Sequence, residues 1–279
     1  MHGSFVLLLL LLSALLSVVT GQSPCPDPSS ISPCVCSYND FFDTVSVDCS
    51  LATSSEDLFA AFNDAVWPIT ELLDFRLTGN GYVQDLPSGV FGNVSFQSMF
   101  IHFTVVSSVH PEALSSSKDR LGELRIFDGS LQEFPWDALP AFTRLETLNL
   151  YRNELASVPA VESPSLRSLY LSGNRIAALE GPWSIPNLIF LELDGNPVSE
   201  LPQGLFQGFE NLFSFACSSC NLGPILKTGS MEFRSQDLGS VYLDGNGISS
   251  LEPYAITVHD RGVVDFDRME LPVLVVGCV

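Results

Sequence analysis

The chain has 279 residues, of which 46% are hydrophobic, so it is long enough to bury a continuous core. It contains 32 acidic and 12 basic residues, which give a net charge of −20. Such an excess of negative charge argues against nucleic acid or an anionic membrane surface as a partner. The same charge also serves to keep a protein soluble, and it does not by itself select any partner.

The N-terminus is typical of a secretory signal peptide. Residues 5–19 form an almost unbroken apolar run, and Gly21 fits the small residue before a cleavage site. We therefore expect residues 1–21 to be removed and the mature protein to be secreted and extracellular, with no membrane span left. A signal anchor is the alternative, but the apolar run is short for a membrane span.

Four cysteines, which are Cys25, Cys34, Cys36 and Cys49, follow the signal peptide closely. The secretory route permits disulfide bonds, and four cysteines allow three pairings. A zinc site is the competing interpretation, and the secreted context disfavours it.

Residues 54–65 predict a short amphipathic helix. Ser54 precedes two acidic residues and is a typical N-cap, and Leu58, Phe59 and Phe62 supply an apolar face. We expect this helix to cover the first of the repeats that follow. Together with the cysteine cluster it makes residues 22–71 an N-terminal cap.

A leucine pattern recurs eight times between Leu72 and Leu251, in steps of 21 to 26 residues. The copies that begin at Leu145 and Leu166 match L-x-x-L-x-L-x-x-N-x-L, the leucine-rich repeat pattern. Leucines two residues apart share one face of a strand, so stacked copies bury them in one interior. The sequence thus predicts an α/β leucine-rich repeat solenoid over residues 72–256, a curved arc with a parallel concave sheet.

The pattern is imperfect in three units. Thr104, Gly129 and Cys220 replace its asparagine, and we expect the second and third units to have less regular turns. Cys220 and Cys217 both occupy core positions, where they are small buried groups that either remain separate or bond to each other. A redox C-x-x-C motif is the other interpretation, but it expects a thioredoxin-like context.

Residues 257–279 predict a degenerate C-terminal segment, and Cys278 within it has no evident partner. A leftover cysteine in a secreted chain is compatible with a bridge to another chain. Extracellular repeat proteins usually end in a second cysteine-rich cap, which this segment does not match.

We find no catalytic, phosphate-binding or dinucleotide-binding motif, and we predict neither enzymatic activity nor a cofactor or metal. The triplets 194–196 and 244–246 contain the Asp-Gly-Asn sequence but lack the remaining ligands of a calcium loop. Asn93 begins the one glycosylation sequon, Asn-Val-Ser.

Residues that alternate with the strand leucines should project onto the concave face. In units two to five these positions concentrate aromatic and arginine side chains, the composition of interface hot spots. We therefore predict that the main partner contact lies there. The alternative is that the rings only shield one another on an open sheet. The predicted binding residues are Phe100, His102, Arg125, Phe127, Tyr151, Arg152 and Tyr170.

The stretches 220–235 and 244–256, with their CNLGP and LEPYAI sequences, resemble a particular family. It comprises secreted leucine-rich repeat proteins like the non-catalytic subunit of oplophorus-luciferin 2-monooxygenase. The resemblance implies a secreted, non-enzymatic accessory subunit that binds another protein, such as a small secreted catalytic subunit. An extracellular recognition module of the innate-immune or cell-adhesion type is the alternative. The cysteine spacing near the N-terminus resembles the cap of extracellular leucine-rich repeat proteins, which implies the pairs Cys25–Cys36 and Cys34–Cys49.

Overall fold

Short β-strands dominate the computed structural model, which describes residues 23–258 and 277–278. In chain order the strands are β1 (Val35–Asn39), β2 (Thr44–Asp48), β3 (Glu71–Thr78), β4 (Asp85–Leu86), β5 (Ser95–His102), β6 (Ser108–Val109), β7 (Glu123–Phe127), β8 (Thr147–Asn149), β9 (Ser157–Val158), β10 (Ser168–Tyr170), β11 (Ala178–Leu179), β12 (Phe190–Glu192), β13 (Ser214–Ala216), β14 (Ile225–Leu226), β15 (Met231–Phe233), β16 (Ser240–Tyr242), β17 (Ser250–Leu251), β18 (Ile256–Val258) and β19 (Gly277–Cys278).

Helices contribute little to this part of the chain. One α-helix and three 3₁₀ helices occur within it, and they are α1 (Ser55–Asn63), η1 (Ser115–Ser117), η2 (Trp136–Ala141) and η3 (Leu205–Gly208). In the described ranges, no helix has both the length and the apolar character needed to cross a membrane. The expected signal peptide and most of the expected C-terminal segment lie outside the described residues.

Ten strands form one long sheet in the order β1, β2, β3, β5, β7, β8, β10, β12, β13, β16. The cap supplies the antiparallel hairpin β1–β2, and every later neighbour in the sheet is parallel. Across three adjacent repeats, Leu148, Leu169 and Leu191 are register partners and are fully buried. The predicted leucine-rich repeat solenoid is therefore confirmed, and the strands from β3 to β16 in this sheet follow the spacing of the leucine pattern.

Where a repeat has the asparagine, its side chain bonds to the neighbouring unit, as Asn174 and Asn196 show. The side-chain amide of Asn174 donates to the carbonyl oxygens of Leu150 and Leu171, at 2.9 and 2.8 Å. Its oxygen accepts from the backbone N–H of Leu155 at 3.1 Å. Asn196 repeats this arrangement one unit further along. Buried backbone groups that the short strands leave unpaired are thus satisfied by a side chain.

The residue before the asparagine position has a positive φ in all eight units. Glycine occupies this position in four units, where the left-handed backbone is unstrained. Threonine at 104 and glycine at 129 leave the conformation of this residue unchanged. The four other units hold a non-glycine residue there, at φ values between 48° and 54°: Phe103, Asp128, Arg152 and Ser219.

The N-terminal cap is closed by the disulfides Cys25–Cys36 and Cys34–Cys49, the pairing that the resemblance implies. Ser54 caps helix α1 by accepting from the N–H of Asp57, as predicted. Phe62 packs against Phe75 of the first repeat, with ring centroids 6.1 Å apart. Phe59, which we expected on the apolar face, is 43% exposed because the core side of α1 consists of Leu58, Ala61 and Phe62.

Cys217 and Cys220 bond to each other in the seventh repeat, and both are fully buried. The amide group of Asn246 donates to the carbonyl of Cys217, and its oxygen accepts from the N–H of Cys220. The disulfide therefore fills two repeat positions in the core and is tied to the next unit. The sequence alone had left the bond between these cysteines open.

Candidate functional site

The open face of the long sheet is the face opposite the leucine core. Two rows of side chains project from it in register, because side chains alternate across each strand. In the first row, which lies between the strand leucines, the described residues are Arg76, Phe100, Arg125, Asn149, Tyr170, Glu192, Ala216 and Tyr242. The second row, just after the second leucine, contains Thr78, His102, Phe127, Tyr151, Ser172, Asp194, Ser218 and Asp244.

The seven predicted binding residues lie on adjacent strands or in the turns that follow them, and we call this set the aromatic patch. The rings of His102 and Phe127 are stacked, with centroids 5.0 Å apart and an interplanar angle of 13°. The guanidinium of Arg125 lies 5.8 Å from the centre of the Phe100 ring. All four of these residues are half-buried, so each ring or plane retains an accessible side.

A second arginine–aromatic pair extends the patch. The guanidinium of Arg152 lies 4.9 Å from the centre of the Tyr151 ring, a geometry that favours a cation–π interaction. The backbone N–H of Tyr151 donates to the side chain of Asn149 at 3.0 Å, which fixes the start of this turn. The Arg152 side chain remains 64% exposed, so it is available to another molecule.

Each arginine of the patch has an acidic neighbour. Arg125 forms an ion pair with Glu123 at 2.5 Å, and Arg152 lies 3.5 Å from Asp128. Partly exposed pairs of this kind contribute little to stability. Their consequence here is to orient the guanidinium groups over the neighbouring rings.

Phe103 belongs to the same surface and was not predicted from the sequence. Its side chain is 62% exposed, and its ring meets that of His102 edge to face at 5.2 Å. It also holds the left-handed backbone position that is glycine in half of the repeats. An exposed phenylalanine in a strained conformation is an outlier of the kind that accompanies functional sites.

His102 contributes an unusual polar group to the patch. Its Nδ1 atom is inaccessible to water and has no hydrogen-bond partner within the described residues. Such groups are uncommon in folded proteins, because leaving them unsatisfied costs free energy. The stacking on Phe127 holds the ring in this position.

The cap presents a second exposed aromatic pair that sequence analysis missed. Phe41 and Phe42 lie at the tip of the β1–β2 hairpin, 84% and 70% exposed, with their rings edge to face at 4.8 Å. Beside them a groove of about 910 Å³ runs between the hairpin and β3, lined by Tyr38 and Arg76 among others. The only signal in the sequence is the Phe-Phe pair itself, which lies outside the repeats.

The opposite end of the open face is acidic. Glu192, Asp194 and Asp244 project from it, and we call these three residues the acidic strip. Burial raises the pKa of the Glu192 carboxyl, and the charge of Asp194 adds to this effect. Burial also raises the pKa of Asp194, and the charge of Asp244 adds to this effect. Hydrogen bonds from Ser218 act in the opposite direction and lower the pKa. The strip therefore carries its negative charge at a free-energy cost.

Neither end of the open face resembles a metal site. Throughout the described ranges, no group of three or more His, Cys, Asp or Glu side chains is arranged to hold a metal ion. Asn93, the expected glycosylation site, is exposed in a turn that precedes β5.

Known proteins with sequence similarity to this chain are leucine-rich repeat proteins or are named as a non-catalytic subunit. Residues 164–206 match the family model described as Leucine Rich repeats (2 copies). The fold of the chain is that of a leucine-rich repeat solenoid. It is 26% identical over 239 residues, 85% of its length, to the Oplophorus-luciferin 2-monooxygenase non-catalytic subunit of Oplophorus gracilirostris. It is also 26% identical over 155 residues, 53% of its length, to Tsukushi of Gallus gallus.

The chain spans only part of these relatives, 59% of the length of the first and 41% of the second. Among solved structures it is similar to a chain of the octameric complex of Latrophilin 3, Unc5D and FLRT2. That similarity has a TM-score of 0.45 and 21% identity, over 65% of this chain and 52% of the other.

Proposed function

We propose that the protein is an extracellular, non-catalytic binding protein that recognises another protein through the aromatic patch. The observation that supports this most directly is the contiguous set of half-buried rings on strands β5 and β7 and in the turn after β8. Two of these rings lie beside arginine guanidinium groups. Contiguous exposed aromatic surface is uncommon on monomeric proteins, and aromatic residues with arginine dominate the binding energy of protein interfaces.

The disulfides support an extracellular location. Three disulfides lie within residues 23–258, and such bonds form and persist in oxidising compartments. A net charge of −20 disfavours nucleic acid and anionic membranes as ligands. A protein ligand agrees with both features.

The finer role that we propose is that of an accessory subunit to a small secreted catalytic protein. Its support is the similarity to a relative whose name describes a non-catalytic subunit. In this role the repeat protein supplies a rigid surface, and the chemistry belongs to the bound partner.

The test is affinity purification of the tagged protein from its native secretions, followed by mass spectrometry under non-reducing conditions. Phe127→Ser and Tyr151→Ser, singly and together, remove two rings of the patch. Phe213→Ser is the matched control, since its ring is 47% exposed at the start of β13, away from the patch. Circular dichroism establishes that each variant is folded.

We expect a stoichiometric small protein to co-purify with the unaltered chain and with the control. Loss of both rings should weaken its binding by at least about 30-fold, because buried aromatic residues carry most of an interface's energy. Unchanged affinity in a folded double variant would contradict the patch as the binding surface. Capture of a glycan, microbial or cell-surface ligand instead would favour a recognition module over an accessory subunit.

A further inference from the structure

Two serines at equivalent positions of the open face have different surroundings. Ser218 donates its hydroxyl to Asp244 at 2.5 Å, and its backbone N–H donates to Asp194 at 2.6 Å. Ser172 occupies the same position two units earlier, with Asp194 beside it in the second row. The Asp194 carboxylate is directed to the N–H of Ser218, and the Oγ atom of Ser172 has no hydrogen-bond partner among residues 23–258.

Ser172 is directed toward the open face and the acidic strip. Its chain neighbour Leu171 is fully buried in the core, so the side chain of Ser172 points to the opposite side. The N–H of Gly173 donates to the carbonyl of Asp194 at 2.7 Å, which places the two segments side by side. Ser172 is only 6% exposed, so bulk water does not readily satisfy its hydroxyl.

The carboxylates of the strip have no cationic partner among the described residues. The ion pairs of the described residues involve Arg76, Arg120, Arg125, Arg152 and Arg175. None of these arginines pairs with Glu192, Asp194 or Asp244. Their charges therefore repel one another in a partly buried environment. A cation from another molecule is the missing counter-charge, and charge complementarity of this kind gives interfaces their specificity.

The shape of this region suits a long cationic side chain. In the first row, Tyr170, Glu192, Ala216 and Tyr242 are successive register partners. Ala216 carries only a methyl group, so no long side chain stands between Glu192 and Tyr242 in this row. Tyrosine rings at both ends offer faces to an alkyl stem or a guanidinium.

We propose that the acidic strip and Ser172 bind a cationic side chain, such as arginine, from the protein that occupies the aromatic patch. Asp194 and Glu192 accept from its N–H groups and balance its charge, and Ser172 accepts a further hydrogen bond. The inference rests on the proposed function, since it assigns the charge of a partner that spans both halves of the face. It predicts a ligand segment with apolar residues over units two to five and a cation over units six to eight.

The test uses N-acetyl-arginine amide as the probe, so that it does not depend on the natural partner. The probe is titrated into the isotopically labelled full-length protein, and the backbone amide shifts of residues 172 and 194 are followed by NMR. N-acetyl-citrulline amide is the control ligand, because it keeps the shape of arginine and lacks its charge. Calcium chloride is titrated separately.

Asp194→Asn and Ser172→Ala are the diagnostic variants, and Glu200→Gln is the matched control. Asp194→Asn removes the charge while its side-chain oxygen still accepts from Ser218. Glu200 is exposed in the segment between β12 and η3, so its substitution removes the same charge outside the strip.

We expect saturable shifts with the arginine probe and none with the citrulline probe. Asp194→Asn should weaken binding by about tenfold and Ser172→Ala by about threefold, whereas Glu200→Gln should leave it unchanged. Equal binding of the citrulline probe, equal affinity in Asp194→Asn, or saturation by calcium at the same amides would overturn the proposal. Arginine binding that persists in Phe127→Ser/Tyr151→Ser would show that the strip acts even if the patch does not bind a partner.

Discussion

The two halves of the open face have the same backbone arrangement and differ in their side chains. Strands β5, β7, β8 and β10 and strands β12, β13 and β16 belong to the same sheet, and buried apolar residues fill the equivalent core positions in both sets. The first half carries rings and arginines, whereas the second carries carboxylates and small residues. The repeat constrains only the side that faces the core, so the open side is free to acquire binding chemistry.

The halves also differ in how their charges are balanced. Arg125 and Arg152 in the first half have acidic neighbours within 4 Å. Glu192 and Asp194 in the second half face only like charges, and burial together with this repulsion raises their pKa values. The arginines of the first half are therefore neutralised by carboxylates of the same chain. In our proposal the carboxylates of the second half are neutralised by a cationic side chain of the partner.

The largest effect that we expect concerns the interior that both halves share. Asn174→Ala leaves the buried N–H of Leu155 unsatisfied and removes one of the two amide donors to each carbonyl of Leu150 and Leu171, which should cost about 2 to 4 kcal/mol in the free energy of unfolding. Urea denaturation measures this change. Asn187→Ala is the control, because its exposed side chain donates only to Pro164, and it should cost less than about 1 kcal/mol. Equal losses in the two variants would contradict the role of the asparagine ladder.

A smaller effect on stability is expected from glycine substitutions at one turn position in each half, and only one of them should change partner binding. Phe103→Gly and Ser219→Gly each relieve a left-handed non-glycine residue at the same turn position, at φ 53° and 54°. Each should raise the free energy of unfolding by up to about 1 kcal/mol, since glycine adopts this backbone without strain.

Only Phe103→Gly should also weaken partner binding, by about tenfold, because it alone removes an exposed ring that packs against His102 of the aromatic patch. Stability is measured by urea denaturation and affinity by surface plasmon resonance. If Ser219→Gly weakened the partner as much as Phe103→Gly does, the effect would come from the turn rather than from the ring.

The smallest effect concerns pH. The raised pKa of Glu192 means that the folded state binds a proton more tightly than the unfolded state, so this carboxyl favours folding at low pH. That contribution is lost as the pH rises through the folded-state pKa. Glu192→Gln should therefore be more stable than the unaltered chain at pH 7, by less than about 1 kcal/mol because water screens a half-exposed carboxylate.

Urea denaturation at pH 3.5 and pH 7 measures the pH effect, with Glu200→Gln as the control. The gain from Glu192→Gln at pH 7 should exceed that of the control and should shrink at pH 3.5. A gain of the same size at both pH values would mean that the carboxylate is not responsible.

The leucine pattern was sufficient to predict the core of this fold. Leu191 and Leu193 lie two residues apart, so their common burial and the opposite direction of Glu192 follow from strand geometry alone. The capped helix after Ser54 followed from the same local reasoning. These features depend on contacts between neighbours in sequence or between equivalent positions of successive repeats.

Other features required the three-dimensional structure. Phe103 falls at a turn position whose side-chain direction depends on the left-handed backbone, which the repeat pattern does not predict for a phenylalanine. Phe41 and Phe42 lie in a hairpin outside the repeats, where no periodicity applies. The unsatisfied hydroxyl of Ser172 arises because Asp194 turns toward Ser218, a choice between two neighbours that composition does not reveal.

Hydroxyl-radical footprinting of the protein, free and bound to its co-purified partner, is the most direct test of the central claim. We expect the partner to protect Phe103, Phe127 and Tyr151 from oxidation, and to leave Tyr254 unprotected although it is 62% exposed. Protection of Phe41 and Phe42 with no change at the aromatic patch would place the partner on the cap and contradict the account.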